Sequence, residues 1–191
     1  MSPRTNEQFN EMRESAKKRI MDTALELFAN AGYHTTSISQ IAKKAGISKG
    51  LMYNYFESKE MLLREILIEG VDIITESFDP NRDGILTKVE LIHFIHETFN
   101  LIRGHTAHWK LYFSLLVQAG VLDIINEDLA PRIQKHIGML TQFFNSQNYD
   151  NPEVEMRLFG SLLDGVAMNF VMDPQNFPLK EIENRIIKMY Q

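Results

Sequence analysis

Ser37 and Ser48 are two helix-start signals set so close that only a short helix and a tight turn fit between them. Gln40 stands three residues after Ser37, the spacing of a capping box, in which serine and glutamine side chains satisfy each other's backbone amides. Ile38, Ile41, Ala42 and Ala45 then form a short apolar stripe that Gly46 closes. Ser48 opens the next helix, with Ile47 before it and Met52 four residues inside, the spacing of a hydrophobic staple. Two short helices joined by a glycine-containing turn, with alanines where they approach, predict a helix-turn-helix. In the second helix Met52 and Phe56 pack inward, which leaves Lys49, Gly50, Leu51, Tyr53, Asn54 and Tyr55 on the outside.

That outward set suits a DNA duplex. Lys49 and the amides beside Ser48 face phosphate, the Tyr53 and Tyr55 hydroxyls donate to phosphate, Asn54 pairs with a base edge, and Leu51 offers an apolar contact for a thymine methyl. Lys59 lies in the first turn of the following helix, where the macrodipole favours an acidic side chain, so a phosphate partner is expected for it. Charge supports the same division. The chain carries a net charge of -5, yet residues 1–64 hold ten Lys/Arg against seven Asp/Glu, and residues 65–191 hold ten against eighteen. Only the N-terminal third has the sign for a polyanion.

Elsewhere the apolar spacing is helical. Ile20, Ala24, Leu27, Phe28 and Ala31 give a first helix from about Glu14, capped by Gly32. Ser58 caps a fourth, and the spacing predicts further helices over Thr87–Arg103, Thr106–Leu122, Asn126–Ser146, Glu153–Met172 and Leu179–Tyr190. Period-two alternation is nearly absent, so the fold class is all-α. The division expected is a flexible arm over 1–13, a DNA-binding domain over 14–60, and a larger helical domain over 61–191. The absence of cysteine excludes disulfides, thiolate zinc sites and cysteine nucleophiles. No apolar run reaches the roughly 18 residues of a membrane span, and no signal-like start is found, so a cytoplasmic protein is expected. The chain has no P-loop, dinucleotide fingerprint, nucleophile elbow or zinc-protease pattern, and an enzyme is not expected.

The stretch from about residue 14 to 68 resembles the TetR family of transcriptional regulators. The resemblance is carried by Ala24-Leu25-Glu26-Leu27-Phe28, Gly32-Tyr33, Thr36-Ser37, Ile41-Ala42, Ala45-Gly46-Ile47-Ser48-Lys49-Gly50, Tyr53, Phe56, Ser58-Lys59-Glu60 and Leu62-Leu63. It implies a three-helix DNA-binding domain on an all-α effector domain, acting as a homodimer that releases a pseudo-palindromic operator when a small molecule binds. Carried onto matching positions, its DNA contacts fall on Thr36, Ser37, Lys49, Gly50, Leu51, Tyr53, Tyr55 and Lys59. Leu51 and Tyr55 depart from the small or polar residue and the histidine usual there. It also implies that the last two helices, which carry Gly160, Ser161, Gly165 and Ala167, form the dimer interface. An effector pocket is expected among the aromatic residues of the larger domain, lined by Trp109, Tyr112, Phe113, Phe143 and Phe159.

One further pattern falls outside the resemblance. Residues 79–90 match the loop pattern D-x-[DN]-x-[DN]-G-x5-E of calcium-binding helix-loop-helix motifs. Calcium ligands would come from Asp79, Asn81, Asp83, the Ile85 carbonyl, a water near Thr87, and Glu90. The same residues also read as a polar connector, since Thr87 and Glu90 form a capping box. The alternative function is thus a calcium-responsive regulator sensing through this loop. His93 with His96 and His105 with His108 lack a third ligand at supporting spacing and read as solvated or hydrogen-bonded histidines.

Overall fold

A computed structural model describes residues 6–191, with side chains from Glu7. All elements among these residues are helices: α1 (Asn6–Ala31), α2 (Ile38–Lys44), α3 (Lys49–Tyr53), α4 (Lys59–Thr75), α5 (Lys88–Gly104), α6 (Thr106–Leu116), α7 (Val121–Ser146), α8 (Pro152–Met172) and α9 (Leu179–Tyr190). The chain divides into two compact units. One runs to Ile68 and includes Ser114–Ile125; the other comprises Glu69–Phe113 and Asn126–Gln191.

In the first unit Ile20, Ala24, Leu25 and Phe28 of α1 are buried, as are Ile41 and Ala42 of α2, Met52 of α3, and Leu62, Leu63 and Ile66 of α4. Leu25 takes the inward position expected of Leu27, which is partly exposed, and Ala31 is exposed. Helix α1 also begins at Asn6, not near Glu14. Of the arm expected over 1–13, residues 1–5 lie outside the described residues and the rest is helical.

The capping box forms at Ser37, whose N–H donates to Gln40 Oε1 at 2.7 Å while the Gln40 N–H donates to Ser37 Oγ at 3.3 Å. The turn into α3 closes with Gly46 at φ +71°, a left-handed conformation that glycine adopts without Cβ strain, and the Ile47 N–H donates to the Ala42 carbonyl at 3.0 Å. Gln118 completes the end of α1. Its Nε2 donates to the Phe28 carbonyl at 2.8 Å and its Oε1 accepts the Tyr33 N–H at 2.9 Å, so one side chain satisfies a carbonyl of the last turn and an amide beyond it.

The second unit is built on α5, α8 and α9. Phe94, Phe144, Phe159 and Tyr190 form a chain of ring contacts, with Phe159 to Tyr190 at 5.1 Å between centroids. Glu183 of α9 is 1% exposed and accepts hydrogen bonds from His96 and Arg103 of α5 at 2.5 and 3.2 Å. The expected helix over Thr106–Leu122 is two helices: α6 ends at Leu116 and α7 begins at Val121. Gly120 at φ +75° breaks them, and Gln118 is drawn out of helical register by its bonds to Phe28 and Tyr33.

Candidate nucleic-acid interface

Helix α3 is short and held at both ends. Ser48 Oγ accepts the Leu51 N–H at 3.1 Å, and the Asn54 N–H closes the C-terminal turn onto the Leu51 and Met52 carbonyls. Met52 is fully buried and Phe56 nearly so. This fixes the rotation of the helix, because residues four apart share a face. Lys49, Gly50 and Asn54 are exposed, Tyr55 is half-buried, and Leu51 and Tyr53 are 41% and 46% exposed. A Cβ added at Gly50 would meet nothing within 4 Å, so nothing inside the described chain requires glycine there.

Two of the expected contacts are held inside the fold. Thr36 is buried, its hydroxyl donating to the Gly32 carbonyl at 2.8 Å. Lys59 Nζ donates to the carbonyls of Tyr33 at 2.8 Å, Thr36 at 2.9 Å and His34 at 3.4 Å, and lies 4.5 Å over the Tyr33 ring. Burial lowers the Lys59 pKa from the ordinary lysine value. The ammonium that sits poorly on its own helix dipole is therefore matched by carbonyls of the α1–α2 loop, a partner that only the fold supplies.

A cleft of about 750 Å³ opens beside the recognition helix, lined by Phe9, Met12, Arg13 and Arg19 of α1 and by Leu51, Asn54 and Tyr55. Arg13 and Arg19 are exposed cations; Arg19 lies on the outward side of the first helix, as its apolar spacing predicts, and Arg13 has no signal in the sequence. Arg13 precedes the part of α1 with clear apolar periodicity, and only the tertiary structure puts both cations next to α3.

In the second unit the five expected pocket residues fall in two groups. Trp109, Tyr112 and Phe113 contact one another, with Trp109 to Tyr112 at 5.2 Å. Phe143 touches Phe144, which joins Phe159 at 6.1 Å. Trp109 is buried and its Nε1–H has no hydrogen-bond partner. A separate groove of about 360 Å³ is lined by Ile73, Ile74, Pro80, His93, Glu97 and Leu101, among others. His96 is bound to Glu183, and among the described residues no three His, Asp or Glu side chains are gathered to hold a metal ion. No helix among them is long and apolar enough to cross a membrane.

The family model for bacterial regulatory proteins of the tetR family matches residues 20–66. The chain is 27% identical over 179 residues to the fatty acid metabolism regulator protein of Bacillus subtilis, covering 90% of this chain and 91% of that one. The structure of a transcriptional regulator FadR from Bacillus subtilis in complex with stearoyl-CoA is similar at TM-score 0.70 and 26% identity, over 91% of this chain and 96% of that one. The fatty acid degradation regulator FadR from Bacillus halodurans has the same fold, at TM-score 0.72 and 21% identity over 92% of this chain and 94% of that one. The tetR-type match runs from within α1 through α2 and α3 into α4 and so includes the exposed α3 face, and the likeness to transcriptional regulators covers about nine-tenths of the chain. The chain therefore carries a DNA-binding domain of the tetR type over residues 20–66, within a fold that it shares with transcriptional regulators.

Proposed function

We propose that this regulator is a repressor that binds a pseudo-palindromic operator as a homodimer in the cytoplasm and is released by a long-chain acyl thioester. The observation that carries the DNA-binding half is the outward face of α3. Lys49, Leu51, Tyr53, Asn54 and Tyr55 would make the phosphate and base contacts, with Ser37 and Ser48 presenting backbone amides. Gly50 gives room for close approach of the duplex. Lys59 and Thr36 hold the loop behind them, and Arg13 and Arg19 add cations at the side of the helix.

The homodimer is supported by α8, where Val154, Leu158, Met168 and Met172 are exposed and Cβ atoms at Gly160 and Gly165 would meet nothing within 4 Å. Small residues in an exposed apolar face let a second helix come close. The effector class is supported by the likeness to the Bacillus subtilis fatty acid metabolism regulator along nearly the whole chain. The unpartnered Trp109 Nε1–H is a donor that an acceptor on a ligand would satisfy, and Tyr112 and Phe113 supply apolar surface beside it.

The test is fluorescence anisotropy of labelled DNA from upstream of the protein's own gene, at one fixed salt concentration, with stearoyl-CoA or free coenzyme A added. Specific binding abolished by stearoyl-CoA and not by coenzyme A is expected. Specific binding indifferent to both overturns the effector class alone. No specific binding overturns the operator reading.

A further inference from the structure

We propose that the loop from Asp79 to Glu90 binds a calcium ion. The loop leads into α5 and offers oxygen atoms from Asp79, Asn81, Asp83 and the Ile85 carbonyl, with Glu90 in the first turn of that helix. Gly84 stands at φ +78°, the bend that the sixth position of such a loop requires.

Asp79 is the residue that points to a cation. Its side chain is 6% exposed. Oδ2 accepts the Gly84 N–H at 3.2 Å, which turns the carboxylate into the loop, and Oδ1 is buried with no hydrogen-bond partner. A buried carboxylate oxygen without a donor is costly, and an ion held in the loop removes that cost. Lys135 does not supply it: Nζ reaches the other oxygen, Oδ2, at 3.4 Å from a largely exposed side chain.

Two more side chains are held on the loop. Asn81 Oδ1 accepts the Asp83 N–H at 3.1 Å, Asp83 Oδ1 accepts the Ile85 N–H at 2.8 Å, and Asn81 Nδ2 donates to Asp83 Oδ2 at 3.0 Å. Glu90 is the ligand not yet in place. Its Oε2 accepts the Thr87 N–H at 2.8 Å and the Thr87 hydroxyl at 2.7 Å, so the three carboxylates of the loop are not gathered around one point. Binding would exchange that cap for bidentate ligation through rotation of the Glu90 side chain. A mixed set of carboxylates, an amide and a backbone carbonyl on an irregular loop suits calcium over magnesium, which demands near-ideal octahedral geometry. With Lys135 competing for Asp79, affinity is expected at about 10⁻⁵–10⁻³ M, below that of dedicated sensors.

The inference is independent of the effector and is tested on the full chain, stripped of metal and titrated calorimetrically with calcium chloride or magnesium chloride. Saturable one-site binding of calcium and a higher thermal midpoint are expected. Glu90→Gln keeps a capping-box residue and so keeps the metal-free thermal midpoint, but weakens calcium tenfold or more. Lys135→Ala removes the competing cation and tightens calcium several-fold. Absence of binding to about 10 mM calcium in both wild type and Lys135→Ala overturns the proposal. So does calcium binding that Glu90→Gln leaves unchanged, since adsorption to scattered surface charge is then the cause.

Discussion

Gly70 and Gly138 are both helical glycines, and their surroundings give them opposite roles. A Cβ on Gly70 would lie 2.1 Å from Tyr112 Cε2 and 2.5 Å from Cζ, so the ring of a buried tyrosine must move. Alanine favours the helix by about 1 kcal/mol, but overpacking of this kind costs about 1–3 kcal/mol, and Tyr112 is 2% exposed. Gly70→Ala is expected to lower the stability measured by urea unfolding. A Cβ on Gly138 would meet nothing within 4 Å, so Gly138→Ala is expected to raise it by about 0.5–1 kcal/mol. Equal shifts for the two variants would mean that the Tyr112 ring is not seated against Gly70. At this scale the sequence was legible where one contact fixes a face, as with Met52 and Phe56 on α3. It was not legible at Lys59, whose partners are carbonyls more than twenty residues away in the chain, or at Trp109 and Phe159, because a buried aromatic in a core and one lining a pocket have the same pattern.

Among the elements, α9 shows both what periodicity reveals and what it hides. Its bounds, Leu179–Tyr190, are those the sequence predicts, since the apolar spacing is regular and Pro178 precedes it. Glu183 within it is a different matter: a glutamate on an amphipathic helix reads as solvated, yet here it is buried against His96, Arg103 and Lys180. Burial alone would raise its pKa, and the hydrogen bonds from His96 and Lys180 outweigh burial and hold it below the ordinary glutamate value. With the folded pKa depressed, the unfolded chain takes up its proton first on acidification. The network's contribution is therefore complete above the unfolded value of about 4.3 and is lost as pH falls through the folded value. Glu183→Gln is expected to cost about 1–3 kcal/mol at pH 7, because His96, Arg103 and Lys180 then face a neutral amide in place of the carboxylate, and to flatten the fall of the urea midpoint below about pH 4.3. An unchanged acid slope in the variant would place the acid-sensitive group elsewhere. The capping boxes at Ser37 and Thr87 were likewise legible, being local, whereas the break between α6 and α7 was not, because Gln118 is held there by Phe28 and Tyr33.

For the whole molecule, the question is how many copies of α3 meet the operator at once, and salt dependence counts them. Each phosphate neutralised by a lysine contributes about 0.9 to the slope of log K against log salt. Lys49 is exposed at the start of α3, and a homodimer on a two-fold operator presents it twice. Lys49→Ala is therefore expected to flatten the slope by about 1.8, with affinity falling alike on specific and unrelated DNA, since phosphate carries no sequence information. A change near 0.9 would mean that a single copy binds, and no change would remove Lys49 from the interface. Asn54→Ala tests the other half of the reading. A base-edge contact gives about 1–3 kcal/mol of discrimination per good pair, so this variant should weaken operator binding while leaving the slope and unrelated DNA as they were. Asn54 also closes the end of α3 through its backbone amide, which alanine retains, so the helix itself does not depend on the side chain. Loss of affinity in equal measure on both DNAs would show that Asn54 positions the protein on the backbone and that the bases are read by Leu51 and the tyrosines beside it.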